Sequence, residues 1–329
     1  MKFNSIYWLI FVCTSLIVVT SVRFNQNDFG IKSITNSYHS SDAPEYVAMV
    51  EHYRGLTPSK KINAPFSYRI AVPILASFLP FDPLTSINVI NVISLLFCVI
   101  IIQKLIRLRF SEEGHRYLYA LLFIYSFPTF YYGTIGILEA PSLLIITLGF
   151  YLIVKEKLFL LSLTVFLGAF VKETVILLIP IYCAYNITDA VQKRNFRVLL
   201  NLVLLAFLYL TAIKISKSLS VDQNEYLWVP EMWRVERNLA RIRSYIAPIL
   251  SLGFPFLFVL YAAVKSRLTL KSLIFDRESL ACLAGLGLAI LMYFYAVLSA
   301  WPDGRPLWIS YPFLLFFLAK LKSASFKEA

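Results

Sequence analysis

Six ionisable residues, Arg69, Glu139, Lys172, Glu173, Asp303 and Arg305, sit inside or beside long apolar stretches. An acid or base at membrane depth is costly unless it faces a cavity or a partner, which makes each a candidate for function. Two further acids, Asp42 and Glu45, lie three residues apart ahead of a helical pattern (Tyr46, Met49, Val50, Tyr53), so they share a helix face. Such a pair could hold a metal or take a proton from an incoming hydroxyl. Ser41 or Asp42 would equally serve as an ordinary N-cap, with Pro44 in the first turn.

Each of the six has a plain reading beside the chemical one. Arg69 follows Pro65-Phe66-Ser67-Tyr68 and either snorkels to the headgroups or grips a lipid phosphate with its planar fork. Glu139 precedes Pro141 at a helix start, where the dipole favours a carboxylate. Lys172-Glu173-Thr174 is harder to reduce to structure, since a helix hairpin needs no two adjacent charges at its tip. Trp301-Pro302-Asp303-Gly304-Arg305-Pro306 is a turn by composition, yet a turn needs neither Asp303 nor Arg305, and Arg305 is a candidate phosphate ligand. Arg234, Arg237, Arg241 and Arg243, set among Tyr226, Trp228 and Trp233, suggest anionic lipid as a partner.

Other chemistries lack their residues. The sequence has no His/Cys metal cluster, no Gly-x-Ser-x-Gly elbow and no Gly-rich phosphate loop. His39, His52 and His115 are isolated, and Cys13, Cys98, Cys183 and Cys282 lie within apolar segments as small core residues. The formal net charge of +12 comes from short basic clusters beside apolar runs. Membrane orientation asks for that distribution, and no basic domain exists to bind nucleic acid.

The elements that must position these residues are membrane helices. The 329-residue chain is 59% hydrophobic and only 15% charged, more apolar surface than a soluble chain can hide. It reads as one all-α, polytopic transmembrane helix bundle spanning 1–329, with ten apolar segments. These lie near 5–22, 84–103, 117–132, 140–154, 158–171, 174–188, 198–213, 245–264, 279–299 and 307–321. The first resembles a signal peptide but has no clear small-x-small cleavage site, so it is expected to stay as a span. A loop over 23–83 carries a short interfacial helix between Arg69 and Pro80, and a second loop covers 216–244.

Residues 158–188 are apolar for about 31 positions, roughly 46 Å as a helix. That exceeds one straight crossing of a core about 30 Å thick, and Lys172-Glu173 interrupt the middle. A hairpin there places 17 of the 31 Lys and Arg on one side, mostly in short loops, where a single span would reverse three basic clusters. The hairpin puts both termini in the cytoplasm and gathers Asp42, Arg69, Glu139, Lys172, Glu173, Asp303 and Arg305 on the opposite face. No internal repeat is apparent, which weighs against an inverted-repeat transporter.

Together, the acidic first loop (Asp42, Glu45, Tyr46), Pro65–Arg69 with its short helix, Lys172-Glu173 ending a short span, and Arg305 in the last turn resemble the C-type membrane glycosyltransferase superfamily. These are multispan enzymes that use polyprenyl-phosphate sugars. The resemblance implies inverting transfer in a bacterial cytoplasmic membrane, on its non-cytoplasmic face. Asp42 would be the general base, with Glu45 beside it, or would hold a divalent metal. Arg305, with Lys172 or Arg69, would neutralise the departing phosphate, while Tyr46, Tyr68, Glu139, Glu173 and Asp303 would line the substrate site. Many members carry a large soluble domain after the last span, and its absence here favours a glycan or lipid acceptor. A polysaccharide polymerase and a non-enzymatic lipid-linked glycan flippase are the alternatives; a flippase should line a path across the bilayer with its polar groups.

Overall fold

The computed structural model describes residues 5–28, 42–59, 61–110, 113–192, 196–220, 230–265, 276–299 and 303–325. Ser41, His39, Tyr226, Trp228 and Trp301, singled out above, lie outside them. Every regular element among the described residues is helical. In chain order they are α1 (Ser5–Asp28), α2 (Ala43–Tyr53), α3 (Ala71–Ser77), α4 (Pro83–Arg107), α5 (Glu113–Ile124), α6 (Phe127–Tyr132), α7 (Glu139–Val154) and α8 (Leu158–Ala169). There follow α9 (Leu178–Gln192), α10 (Phe196–Ser218), α11 (Met232–Leu239), α12 (Arg243–Lys265), α13 (Arg277–Ser299), α14 (Arg305–Trp308) and α15 (Tyr311–Ser325). Short 3-10 turns cover Phe66–Tyr68 and Glu173–Leu177.

Four of these helices, α4, α10, α12 and α13, are long and apolar enough to cross a membrane. Shorter apolar helices run over Ile6–Val22, Glu139–Val154, Leu158–Ala169 and Glu173–Thr188. The expected ten crossings are therefore not established by helix length. One expected segment, 117–132, is in fact two helices. Ser126 caps α6 by accepting from Thr129 N at 3.4 Å, and Pro128 fits the new first turn, so the helix restarts there.

Local signals account for the helix ends. Asp82 accepts from Thr85 N at 3.0 Å and Pro83 opens α4, while Lys104 and Arg107 complement the dipole at its other end. Within α12, Pro255 removes an N–H and Gly253 adopts φ 53°, ψ −155°, so the helix kinks at mid-length. The chain also turns back at Lys172. Lys172 reaches Glu139 at the start of α7, whereas Tyr185 in α9 donates to the Val154 carbonyl at the end of α7.

Ion pairs sort to the two ends of the bundle. One end carries the candidate residues. At the other, Lys320 bonds Asp276 and lies 3.4 Å from Glu278, Arg109 pairs with Glu278, and Arg277 sits 2.7 Å from Glu156. Between the ends, the Phe150 ring packs edge-on against Phe313 and Phe316, with centroids 4.8 and 5.5 Å away. Lipid tails are as apolar as these side chains, so such packing and the buried polar contacts hold the helices together, not escape from water.

Candidate functional site

Five separate segments meet at one end of the bundle: the start of α2, the loop before α3, the turn before α7, the α8–α9 turn and the turn before α14. Arg305 is the hub. Its Nε donates to Oδ2 of Asp303 at 2.6 Å and its Nη1 donates to Oδ2 of Asp42 at 2.8 Å. The same Nη1 lies 3.6 Å from Oε1 of Glu139, and that oxygen accepts from Lys172 Nζ at 2.7 Å. Beside this group Arg69 grips Glu173 with two bonds, Nε to Oε2 at 2.8 Å and Nη2 to Oε1, and its Nη1 donates to the Tyr46 hydroxyl.

Neighbouring polar groups fix each participant. Asp42 occupies the N-cap position of α2 but makes no side-chain cap bond, so its carboxylate is committed to Arg305. Glu139 is set by its turn: Asn88 accepts from Gly136 N at 2.8 Å and Asn91 donates to the Ile137 carbonyl at 2.9 Å. The Ser142 and Thr174 hydroxyls, 2.7 Å apart, tie the first turn of α7 to the strand-like corner at Lys172. Tyr209 donates to the Glu173 carbonyl at 3.0 Å. The turn holding Arg305 rests on α12, because a Cβ on Gly304 would fall 2.6 Å from Ser251 Cβ and 2.8 Å from the Ala247 carbonyl. Gly304 N donates to the Tyr132 hydroxyl at 3.0 Å.

Electrostatically the group is crowded with acid. Four carboxylates (Asp42, Glu139, Glu173, Asp303) face three cations (Arg69, Lys172, Arg305). The strain falls on Asp303. Burial pushes its carboxyl above the usual aspartate range; Arg305 opposes the rise, and the charges of Glu139 and Asp42 add to it. Burial likewise raises the Tyr46 phenol, against the pull of Arg69, so it stays protonated.

Eight of the ten residues expected to form a site thus converge: Asp42, Tyr46, Arg69, Glu139, Lys172, Glu173, Asp303 and Arg305. Glu45 and Tyr68 are placed elsewhere. Glu45 accepts from the backbone N and the Nδ2 of Asn63, each at 3.1 Å, and so holds the loop beneath α2. Tyr68 contributes its carbonyl to Ser216 Oγ and its ring to Lys217 Nζ, 5.1 Å from the centroid. Asp42 faces Arg305 while Glu45, three residues on, receives Asn63, so the two carboxylates at the start of α2 serve different partners.

Several residues that build the site went unmarked in the sequence. Asn88 and Asn91 carried a readable signal, two amides three apart in an otherwise apolar helix. Arg54 gave none: its guanidinium bonds the Ala76, Ser77 and Leu79 carbonyls and Ser86 Oγ, closing the end of α3 onto α4. Among the described residues no set of three His, Cys, Asp or Glu side chains is arranged to hold a metal ion. Asp42, Glu139 and Asp303 instead point at one guanidinium, so the metal alternative does not fit these residues. Comparison with known protein families, characterised proteins and solved structures returns no match for this chain.

Proposed function

We propose that the chain is a membrane glycosyltransferase that moves a sugar from a polyprenyl-phosphate donor to a glycan or lipid acceptor. One observation carries this reading: Arg305 holds Asp42, with Glu139 and Lys172 joined to the same hub, so an acid and fixed cations share one buried end of a helix bundle. Asp42 takes the proton of the acceptor hydroxyl, and the hydroxyl oxygen bonds the anomeric carbon. The bond from that carbon to the phosphate oxygen breaks with inversion, and its electron pair leaves on the phosphate. Arg305 and Lys172 stabilise that developing anion, as preorganised charges do best away from bulk water. Arg69, locked to Glu173 and Tyr46, keeps the interfacial segment in register.

The finer membrane arrangement belongs to the same proposal: ten apolar segments in a bacterial cytoplasmic membrane, both termini in the cytoplasm and the site on the other face. The ionic network at the far end of the bundle favours a second reading, a flippase for lipid-linked glycans with a gate at each end. The aromatic packing of Phe150, Phe313 and Phe316 between the ends supports the enzyme over the transporter. The deciding experiment incubates purified protein with radiolabelled polyprenyl-phosphate sugars and mixed acceptors. Transfer that depends on Asp42 and Arg305 supports the enzyme; lipid translocation in vesicles without transfer overturns it.

A further inference from the structure

The corner between α11 and α12 lies outside the ionic hub and carries its own chemistry. Two bonds pin α11 across the end of α13, a helix of membrane length. Asn238 Nδ2 donates to the Val297 carbonyl at 2.7 Å, and Arg234 Nη1 donates to the Ser299 carbonyl. These satisfy carbonyls that a helix terminus leaves open, and they fix α11 at the depth where α13 would leave a bilayer. Ser244 locks the corner from within, donating to the Asn238 carbonyl.

The outward side of this corner combines apolar surface with cations. Met232 is 73% exposed and Ile242 74% exposed. Half-exposed Trp233 has the Arg237 guanidinium 4.8 Å and the Arg234 guanidinium 5.2 Å from its ring. Between positions 231 and 243 four arginines stand against two glutamates. A soluble anion would need the guanidinium groups only. Apolar side chains and an amphipathic indole beside them suit the boundary between headgroups and acyl chains.

We infer that the α11–α12 corner is a docking surface for an anionic phospholipid, its phosphate held by Arg237, Arg241 and Arg243 and its glycerol and upper acyl region lying against Met232, Trp233 and Ile242. The site is separate from the Arg305 hub and does not depend on the proposed reaction. Each basic residue near a charged lipid surface is worth about 1 kcal/mol, roughly a fivefold factor in binding; Arg237 and Arg241 also engage groups of the protein, so the three together give at least roughly a tenfold preference.

The test measures radiolabelled lipid retained by the detergent-purified full chain, comparing phosphatidylglycerol with phosphatidylcholine. Phosphatidylglycerol is expected to half-saturate at a concentration at least about tenfold lower, with R243Q reducing that preference about fivefold and R237Q/R241Q/R243Q abolishing it. Raising salt from about 0.1 M to about 0.5 M should weaken phosphatidylglycerol retention by the unmodified protein and leave phosphatidylcholine unchanged, a readout that needs no variant to fold. Equal retention of the two lipids, or a preference that survives the triple variant, overturns the inference. Absence of sugar transfer alongside an intact preference would sink the proposed reaction alone.

Discussion

Arg305 donates from Nη1 to Oδ2 of Asp42 at 2.8 Å, joining residues 263 positions apart in the chain. The contact closes the bundle at one end, because Asp42 opens the helix of the first loop and Arg305 opens the last short helix. It also decides how variants at the two positions should behave.

Asp42→Asn should leave the fold largely intact. Asp303 and Glu139 still face Arg305, so the loss stays below the about 3–5 kcal/mol that follows when a buried charge is left alone. Transfer should fall at least about 100-fold, since an amide cannot accept the acceptor proton. Near-native turnover at matched protein levels would remove the base role from Asp42.

Arg305→Gln should be the more damaging change for the fold. It leaves Asp42, Asp303 and Glu139 without their shared cation, with Lys172 still paired to Glu139, and a cost of about 3–5 kcal/mol is expected. Adding Asp303→Asn should recover part of that loss, and a thermal-unfolding double-mutant cycle would measure the coupling. Arg305→Lys keeps charge but loses the fork that serves two carboxylates, so it should fall between wild type and Arg305→Gln in both stability and transfer. Additive losses in the cycle would mean that Arg305 and Asp303 do not interact energetically.

Glu45→Gln should retain transfer within a few fold, because its role is to hold Asn63 and a glutamine can still accept from one of the two Asn63 donors. Glu45→Ala should lower stability by about 1 kcal/mol, the net worth of hydrogen bonds to half-buried donors. A hundredfold loss of turnover in Glu45→Gln with an unchanged melting temperature would return Glu45 to the chemistry.

Gly304→Ala tests the seating of the last turn. Its new Cβ has no room against Ser251 and the Ala247 carbonyl, so the turn must lift and carry Arg305 away from Asp42. Transfer should drop by about 100-fold, as misplacement of a positioned group by an ångström does. Ser251→Gly in the same chain should recover part of the activity by clearing one of the two obstructions. Full activity of Gly304→Ala alone would show that the turn can shift without consequence.

Acidity should act through Asp303. Its folded-state value lies above the unfolded one, near 4, so the protonated side chain stabilises the fold at low pH. That contribution disappears as the pH rises through the raised value. Asp303→Asn removes the dependence, and its melting temperature relative to wild type should increase from about pH 4 upward until Asp303 is fully ionised. A constant difference across that range would mean that burial does not raise the Asp303 carboxyl in the folded chain.

The sequence alone determined the class of the molecule and the residues worth watching. Charge scarcity in long apolar runs leaves only helices viable, since a bilayer offers no water to satisfy loose backbone groups. The same scarcity marked Arg69, Glu139, Lys172, Glu173, Asp303 and Arg305 individually, each being too costly to keep without a partner. It also favoured a reversal at Lys172, posed by the length of one apolar run and chosen by the distribution of Lys and Arg around it. What it could not supply was the pairing. Whether Arg305 meets Asp42 or Glu139 depends on how three distant segments stack, and spacing along the chain carries no information about contacts made across 263 residues. The split of 117–132 is a local cap, Ser126 with Pro128 in the new first turn, which the surrounding apolar run outweighed. The diversion of Glu45 needs Asn63, 18 positions on, to be brought back by the packed loop. Helix formation is a local property that composition records; the meeting of charges at one end of the bundle is a property of the packed helices, and tertiary structure decided it.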